Sequence, residues 1–242
     1  MRTSTICTQC AIEVPGSSAR VEVELNDQLL FECMCERGHQ ILQTLETTRF
    51  SLLFDFGIAA FQDGYFREAV SSFAASLERL HEFFIRVICK KNGIAAEDVK
   101  LAWKEIGSQS ERQLGAFCML YLQEVKQPAP LVEKKNVEFR NNVIHKGYLP
   151  SKQETLGYGR AVHNIMIKIL AYVSNELQQF SDEVWVEERA ARAGDRPGLS
   201  ITSHGNANFI SRTADELRSG KTFDEKLEVF SRGGRERRWI FT

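Results

Sequence analysis

The chain has 242 residues, 43% of them hydrophobic, and a formal net charge of −1. That length can bury a full core in one or two domains, and a near-neutral balance excludes a global field that gathers nucleic acid, so any such contact must come from local patches. No apolar run approaches the roughly 20 residues that cross a bilayer, and residues 1–10 lack the apolar stretch of a signal peptide. The expectation is a cytoplasmic protein without a membrane partner. Thiols stay reduced there, so the six cysteines read as metal ligands or buried thiols before disulfides.

Residues 1–45 differ from the rest. Cys7 and Cys10 form a CxxC pair. Residues 19–25 alternate apolar and polar, the pattern of a half-buried strand. Asn26 and Asp27 turn the chain, and residues 28–32 return as a second strand. Cys33, Cys35 and His39 follow. Two close ligand pairs separated by a hairpin predict a small zinc ribbon, because thiolate sulfur and imidazole nitrogen suit tetrahedral zinc. The preferred ligands are Cys7, Cys10, Cys35 and His39, with Gly38 allowing the tight turn of a metal knuckle. Cys33 is a rival for the fourth place. Four good ligands leave no open position, so the Zn2+ is read as structural. So short a segment cannot build its own core, so the metal would supply its folding energy.

Residues 46–180 carry helical periodicity. Thr47 or Thr48 caps a helix through Phe50, Leu53, Phe54 and Ile58 to Phe61, and residues 62–64 turn. Phe66, Val70, Phe73, Leu77, Leu80, Phe84 and Val87 then recur at three- and four-residue steps, and Asn92-Gly93 ends that helix. Further helices are predicted from Ala96 through Val99 and Trp103 to Ile106, and over residues 114–125. Pro128 and Pro130 mark a boundary. A helix over 132–146 follows, then a turn over 147–151. The last long helix uses Val162, Ile165, Met166, Ile169, Val173 and Leu177. The predicted fold class is mainly α, a compact helical bundle behind the small ribbon. Residues 181–242 read as a polar extension with short helices near 215–217 and 224–230. It ends with Arg232, Arg235, Arg237 and Arg238 before Trp239. Arginines beside an aromatic can hold a phosphate and stack a base; the same run also reads as a solvated tail, or as one that docks on the bundle or a partner.

The helix over 132–146 holds Arg140, Asn141 and His145. Asn141 and His145 are four residues apart and share a face. Arg140 is one step back and long enough to reach the same patch. A permanent cation, an amide and a group titrating near neutrality then surround one point. Such a set suits phosphodiester cleavage without a metal: the histidine moves protons and the arginine steadies the phosphate. The same string also reads as a solvated helix end.

These residues, late in an all-helical region just before its last long helix, resemble the Arg-x4-6-His signature of the HEPN ribonucleases, in which a polar residue such as Asn141 often follows the arginine. The resemblance spans about 135 residues and implies a HEPN-like bundle. It implies a homodimer in which Arg140, Asn141 and His145 of both copies meet in one cleft. It implies metal-independent RNA cleavage by 2′-OH attack, leaving 2′,3′-cyclic phosphate and 5′-OH ends, and a role as a toxin or in defence against phage. The ribbon would then bind or position RNA or a protein partner. The competing expectation is a non-catalytic adaptor that binds RNA or a protein through ribbon and bundle.

Other constellations carry less. Gly220-Lys221-Thr222 matches the end of a P-loop, but Asp215 stands where its first glycine must be, so nucleotide hydrolysis is rejected. Glu78, His81 and Glu82 share a helix face but lack a second such set for a two-helix metal site; Glu78 or His81 can join the Arg140 pocket if it faces inward. His163 reads as a structural histidine, Cys89 and Cys118 as buried thiols, and Lys146 and Tyr148 as residues near the mouth of a site.

Overall fold

Apolar residues at helical spacing dominate the chain, and the computed structural model is mainly α, preceded by a small β-hairpin with a Cys/His cluster. It describes residues 2–14, 20–194, 202–204, 208–210, 217 and 220–232. These fall into two compact units: the residues up to Thr47 with those from Trp185 to His204, and Thr48–Val184 with those from Asn208 onward. No helix among the described residues is long and apolar enough to cross a membrane.

In the first unit, β1 (Arg2–Ile6) pairs antiparallel with β2 (Arg20–Glu24), with Ile6 opposite Arg20, and α1 (Thr8–Glu13) lies between them in the chain. β3 (Leu30–Met34) pairs antiparallel with β4 (Gln40–Leu45), and β5 (Thr202–His204) adds to β4 in parallel. Strands therefore form where the alternation predicts them, but with other partners. The expected hairpin joined residues 19–25 to 28–32 through Asn26 and Asp27; the observed hairpin is β3–β4. Local chemistry explains the change. The Asn26 side chain donates to the Leu30 carbonyl at 2.7 Å and accepts from the Leu30 N–H at 3.3 Å, taking backbone groups that a β2–β3 ladder would use. Leu29 adopts φ 52°, which bends the chain away from a two-residue hairpin. Hence the second ligand pair sits in the turn of the hairpin rather than beyond it. β1 and α1 were not expected from the sequence.

The second unit opens at Thr48, whose hydroxyl accepts from the Ser51 N–H at 3.3 Å and caps α2 (Arg49–Gln62). α3 (Phe66–Lys91), α4 (Ala96–Ile106), α5 (Ser110–Val125), α6 (Lys134–His145) and α7 (Lys152–Glu176) follow close to their predicted spans. Ser151 and Glu154 close a reciprocal capping box at the start of α7. α3 is the long central helix: α2, α5, α6 and α7 all pack on it. Phe73 shows how closely. A Cβ at Gly57 of α2 would come within 2.5 Å of its ring, and one at Gly159 of α7 within 2.9 Å, so two glycines leave the slot that the ring fills.

Two features depart from a plain polar extension after 180. α8 (Gln178–Ala193) is a continuous helix, and its Val184 is 2% exposed in the core. Further on, Phe209, Ile210 and Phe223 are buried in the helical unit's own core. Phe209 stacks on Phe54 with centroids 5.4 Å apart, donates its N–H to the Asp55 carboxylate at 2.8 Å and accepts from the Lys226 ammonium at 3.0 Å. α9 (Phe223–Arg232) is tied to α7 by two hydrogen bonds from Arg160 to the Asp224 carboxylate, at 2.8 and 3.1 Å. The helix expected at 224–230 is thus present as α9, while Asp215 and the arginine and tryptophan tail from Arg235 to Trp239 lie outside the described residues.

Candidate functional site

Each unit carries one candidate site. In the first, Cys7 is the N-cap of α1 and accepts from the Cys10 N–H at 3.5 Å, so the first ligand pair is fixed by the start of a helix. Cys35 and His39 flank the β3–β4 turn. The Cys35 N–H bonds to the His39 carbonyl at 3.1 Å and the Gly38 N–H to the Cys35 carbonyl at 2.8 Å. Gly38 has φ 83°, which a side chain would resist.

The ligand atoms of Cys7, Cys10, Cys35 and His39 all lie within 4.8 Å of one another. Cys10 Sγ is 3.7 Å from Cys35 Sγ. His39 Nδ1 lies 3.7, 3.3 and 3.6 Å from the sulfurs of Cys7, Cys10 and Cys35. A tetrahedron with zinc–sulfur bonds near 2.3 Å and a zinc–nitrogen bond near 2.1 Å has edges of about 3.8 and 3.6 Å. The donor set and its spacing fit a metal ion such as zinc. Cys33 is half-buried and packs against the cluster, but the gathered set does not include it. Burial, then hydrogen bonds that its thiol donates to Cys7 and Cys35, push the Cys10 thiol up to about 11. Burial also opposes ionisation of Cys35, but the backbone N–H groups of His39 and Arg37 prevail and lower it to about 7.

The second site is an open cleft of about 870 Å³ in the helical unit, and Arg140, Asn141 and His145 of α6 all line it. Glu78 and His81 of α3 and Tyr158 of α7 complete its polar side. Leu77, Leu114, Leu131 and Val137 form an apolar wall. Arg140 donates to the Asn141 side-chain oxygen at 2.9 Å and to the Glu78 carboxylate at 2.5 Å. His145 is the last residue of α6 and is exposed. Burial raises the Tyr158 phenol well above its usual value; the Arg140 charge works against this and the Glu78 charge adds to it.

Of the further residues weighed from sequence, Glu78 and His81 face inward, whereas Glu82 pairs with Arg79 at 2.5 Å. His81 is 6% exposed and stacks on Phe117 with centroids 4.1 Å apart. Burial lowers its pKa to about 3, so it is a neutral ring at pH 7. Lys146 lines the cleft, and Tyr148 instead donates to Glu154 at 2.8 Å. Cys89 and Cys118 are half-buried, with thiols raised by burial. His163 is buried among Phe54, Phe209 and Phe223, and Thr222 caps α9 rather than a nucleotide. Tyr158 was not singled out in the sequence; its place one helix after the motif gives no sign of which way it faces. The chain matches no family model, no curated protein and no solved structure.

Proposed function

We propose that the chain is a metal-independent endoribonuclease of the HEPN type, acting as a homodimer, with a structural Zn2+ held by Cys7, Cys10, Cys35 and His39. The observation that supports it is the gathering of Arg140, Asn141 and His145 on one open cleft with a second helix's Glu78 beside them. In this reading His145 takes the proton of the RNA 2′-OH as the 2′-oxygen attacks the neighbouring phosphorus. The bond from phosphorus to the 5′-oxygen breaks, and that oxygen leaves with a proton from the second copy's histidine. Arg140 carries the charge that grows on the phosphoryl oxygens. Asn141 holds the guanidinium through its 2.9 Å hydrogen bond. The products are a 2′,3′-cyclic phosphate and a 5′-OH. Zinc supplies folding energy to the first unit and no chemistry to the cleft. RNA cleavage of this kind suits a toxin or a phage-defence effector.

The test is cleavage of total RNA and tRNA in EDTA, with retained zinc measured, by the wild type, His145→Ala and Arg140→Ala. Cleavage by the wild type alone, with cyclic phosphate ends, is the expected result. One observation favours the adaptor as second reading: Arg140 is already neutralised by Glu78, as in a structural ion pair. Equal absence of cleavage in all three folded proteins would favour it.

A further inference from the structure

His39 has two ring nitrogens with different neighbours. Nδ1 faces the three sulfurs at 3.3 to 3.7 Å. Nε2 lies 3.3 Å from Oε1 of Glu13. The same Glu13 oxygen accepts from the Gln9 side-chain amide at 3.1 Å, so the carboxylate is itself held in place. Apart from Cys35 and His39, these groups ride on α1 or its cap: Cys7, Cys10 and Glu13 follow one another at three-residue steps, which puts the carboxylate one turn beyond the second thiol.

We propose that Glu13 is the positioning residue of the metal site. The proposal rests on the reading of Cys7, Cys10, Cys35 and His39 as metal ligands. A neutral imidazole carries one N–H, and the nitrogen without it binds a metal. A carboxylate at Nε2 holds the proton there and leaves the Nδ1 lone pair directed at the thiols. It also makes the ring a stronger donor, as carboxylates behind metal-bound histidines do. The pair adds little stability by itself. Side-chain exposures of 22% for His39 and 44% for Glu13 place it among surface contacts, which are weak in water. Its effect is therefore expected in metal affinity rather than in folding of the helical unit.

The test is zinc affinity of the full chain, measured by competition with a chromophoric chelator, for the wild type, Glu13→Ala, Glu13→Gln, His39→Cys and the double variant Glu13→Ala/His39→Cys. Glu13→Ala is expected to weaken zinc binding 10- to 100-fold. Glu13→Gln keeps an oxygen that accepts the Nε2 proton, and is expected closer to the wild type than to Glu13→Ala. In the His39→Cys background the alanine change should have no such cost, because no imidazole remains to orient. The Co2+-loaded proteins provide a second readout: the visible ligand-field bands of Glu13→Ala should shift where those of Glu13→Gln do not. Unchanged affinity in Glu13→Ala overturns the proposal, as does an equal loss in the His39→Cys background, which would mean that Glu13 merely stabilises α1. A wild type that binds no zinc overturns the metal reading first, before any variant is compared.

Discussion

The two units differ in what holds them together. In the helical unit Phe50, Phe54, Phe73, Phe84, Phe117 and Phe209 are each at most 1% exposed, and one continuous apolar cluster runs from Phe50 to Phe223. Around the candidate metal ligands the buried cluster is Cys7, Cys10, Cys35 and Ile41, with Val21 and Cys33 packed against it. Burying a large apolar side chain contributes about 1.5–3 kcal/mol, so a dozen of them hold a bundle without help. The first unit buries fewer: three thiols and Ile41 at the candidate ligands, with Val23, Leu29, Leu30, Phe31 and Leu45 elsewhere among its described residues. Metal binding of about 10–16 kcal/mol in small zinc domains is the scale that can close the gap. With zinc held at the cluster, the first unit would draw on coordination as well as on buried area, and the two units should then fail separately.

Removing metal with a strong chelator, or replacing Cys10 with Ser, should abolish amide-exchange protection in β1–β4 while leaving α2, α3 and α7 protected. Exchange measured by mass spectrometry on both forms checks it. Loss of protection in both units together would mean that the helical unit also depends on the metal.

The converse experiment strikes the aromatic core. Phe73→Ala should cost about 3–5 kcal/mol, read by urea unfolding, without lowering zinc affinity. Gly57→Ala should cost about 1–3 kcal/mol by overpacking, since its new Cβ would lie 2.5 Å from the Phe73 ring in the present geometry. A repacking variant, Gly57→Ala with Phe73→Leu, should recover part of that loss.

What the sequence disclosed follows the range of each signal. The α3 stripe from Phe66 to Val87 was legible because helical packing repeats every three to four residues. The candidate ligands Cys7, Cys10, Cys35 and His39 could be named because each pair is local and Gly38 sits between the second two. Strand partners were not legible: the β2–β3 hairpin was expected from adjacency, and the Asn26 bonds to Leu30 that prevent it leave no periodic trace. Phe209 and Phe223 were hidden for a related reason. They lie in a stretch of mixed charge, and only the long-range contacts with Phe54 and Asp55 give them a core. Tyr158 and Glu78 reach the cleft by helix rotation that spacing alone does not set.

A smaller effect depends on pH and should appear in the helical unit through His163. Burial first, then the Lys226 ammonium, lower its pKa from 6.5 to about 4, with the Asp224 carboxylate acting in the opposite sense. The unfolded chain therefore binds a proton between pH 6.5 and about 4 that the folded one refuses. Stability is full above pH 6.5 and falls as pH drops through that window, by up to about 3 kcal/mol. His81, lowered to about 3 by burial, acts in the same direction. His163→Leu should flatten the dependence in that window, measured as the urea midpoint of α3 and α7 amide protection. An unchanged slope would exclude His163 as the source.

The smallest stability effect falls on the pair that carries most of the functional argument. Arg140 and Glu78 are 24% and 31% exposed, and exposed pairs of this kind contribute about 0–1 kcal/mol. Glu78→Gln should leave the urea midpoint almost unchanged. It also removes a negative charge from beside the guanidinium, so the cleft gains one unit of positive charge for phosphate. On the nuclease reading, affinity for an RNA blocked by a 2′-deoxy sugar at the cleavage site should rise, with a steeper salt dependence, and Arg140→Ala should erase the gain. If the pair is only structural, Glu78→Gln changes neither quantity. The two readings thus separate at a position where folding is nearly silent, so a change in binding there cannot be confused with damage to the bundle.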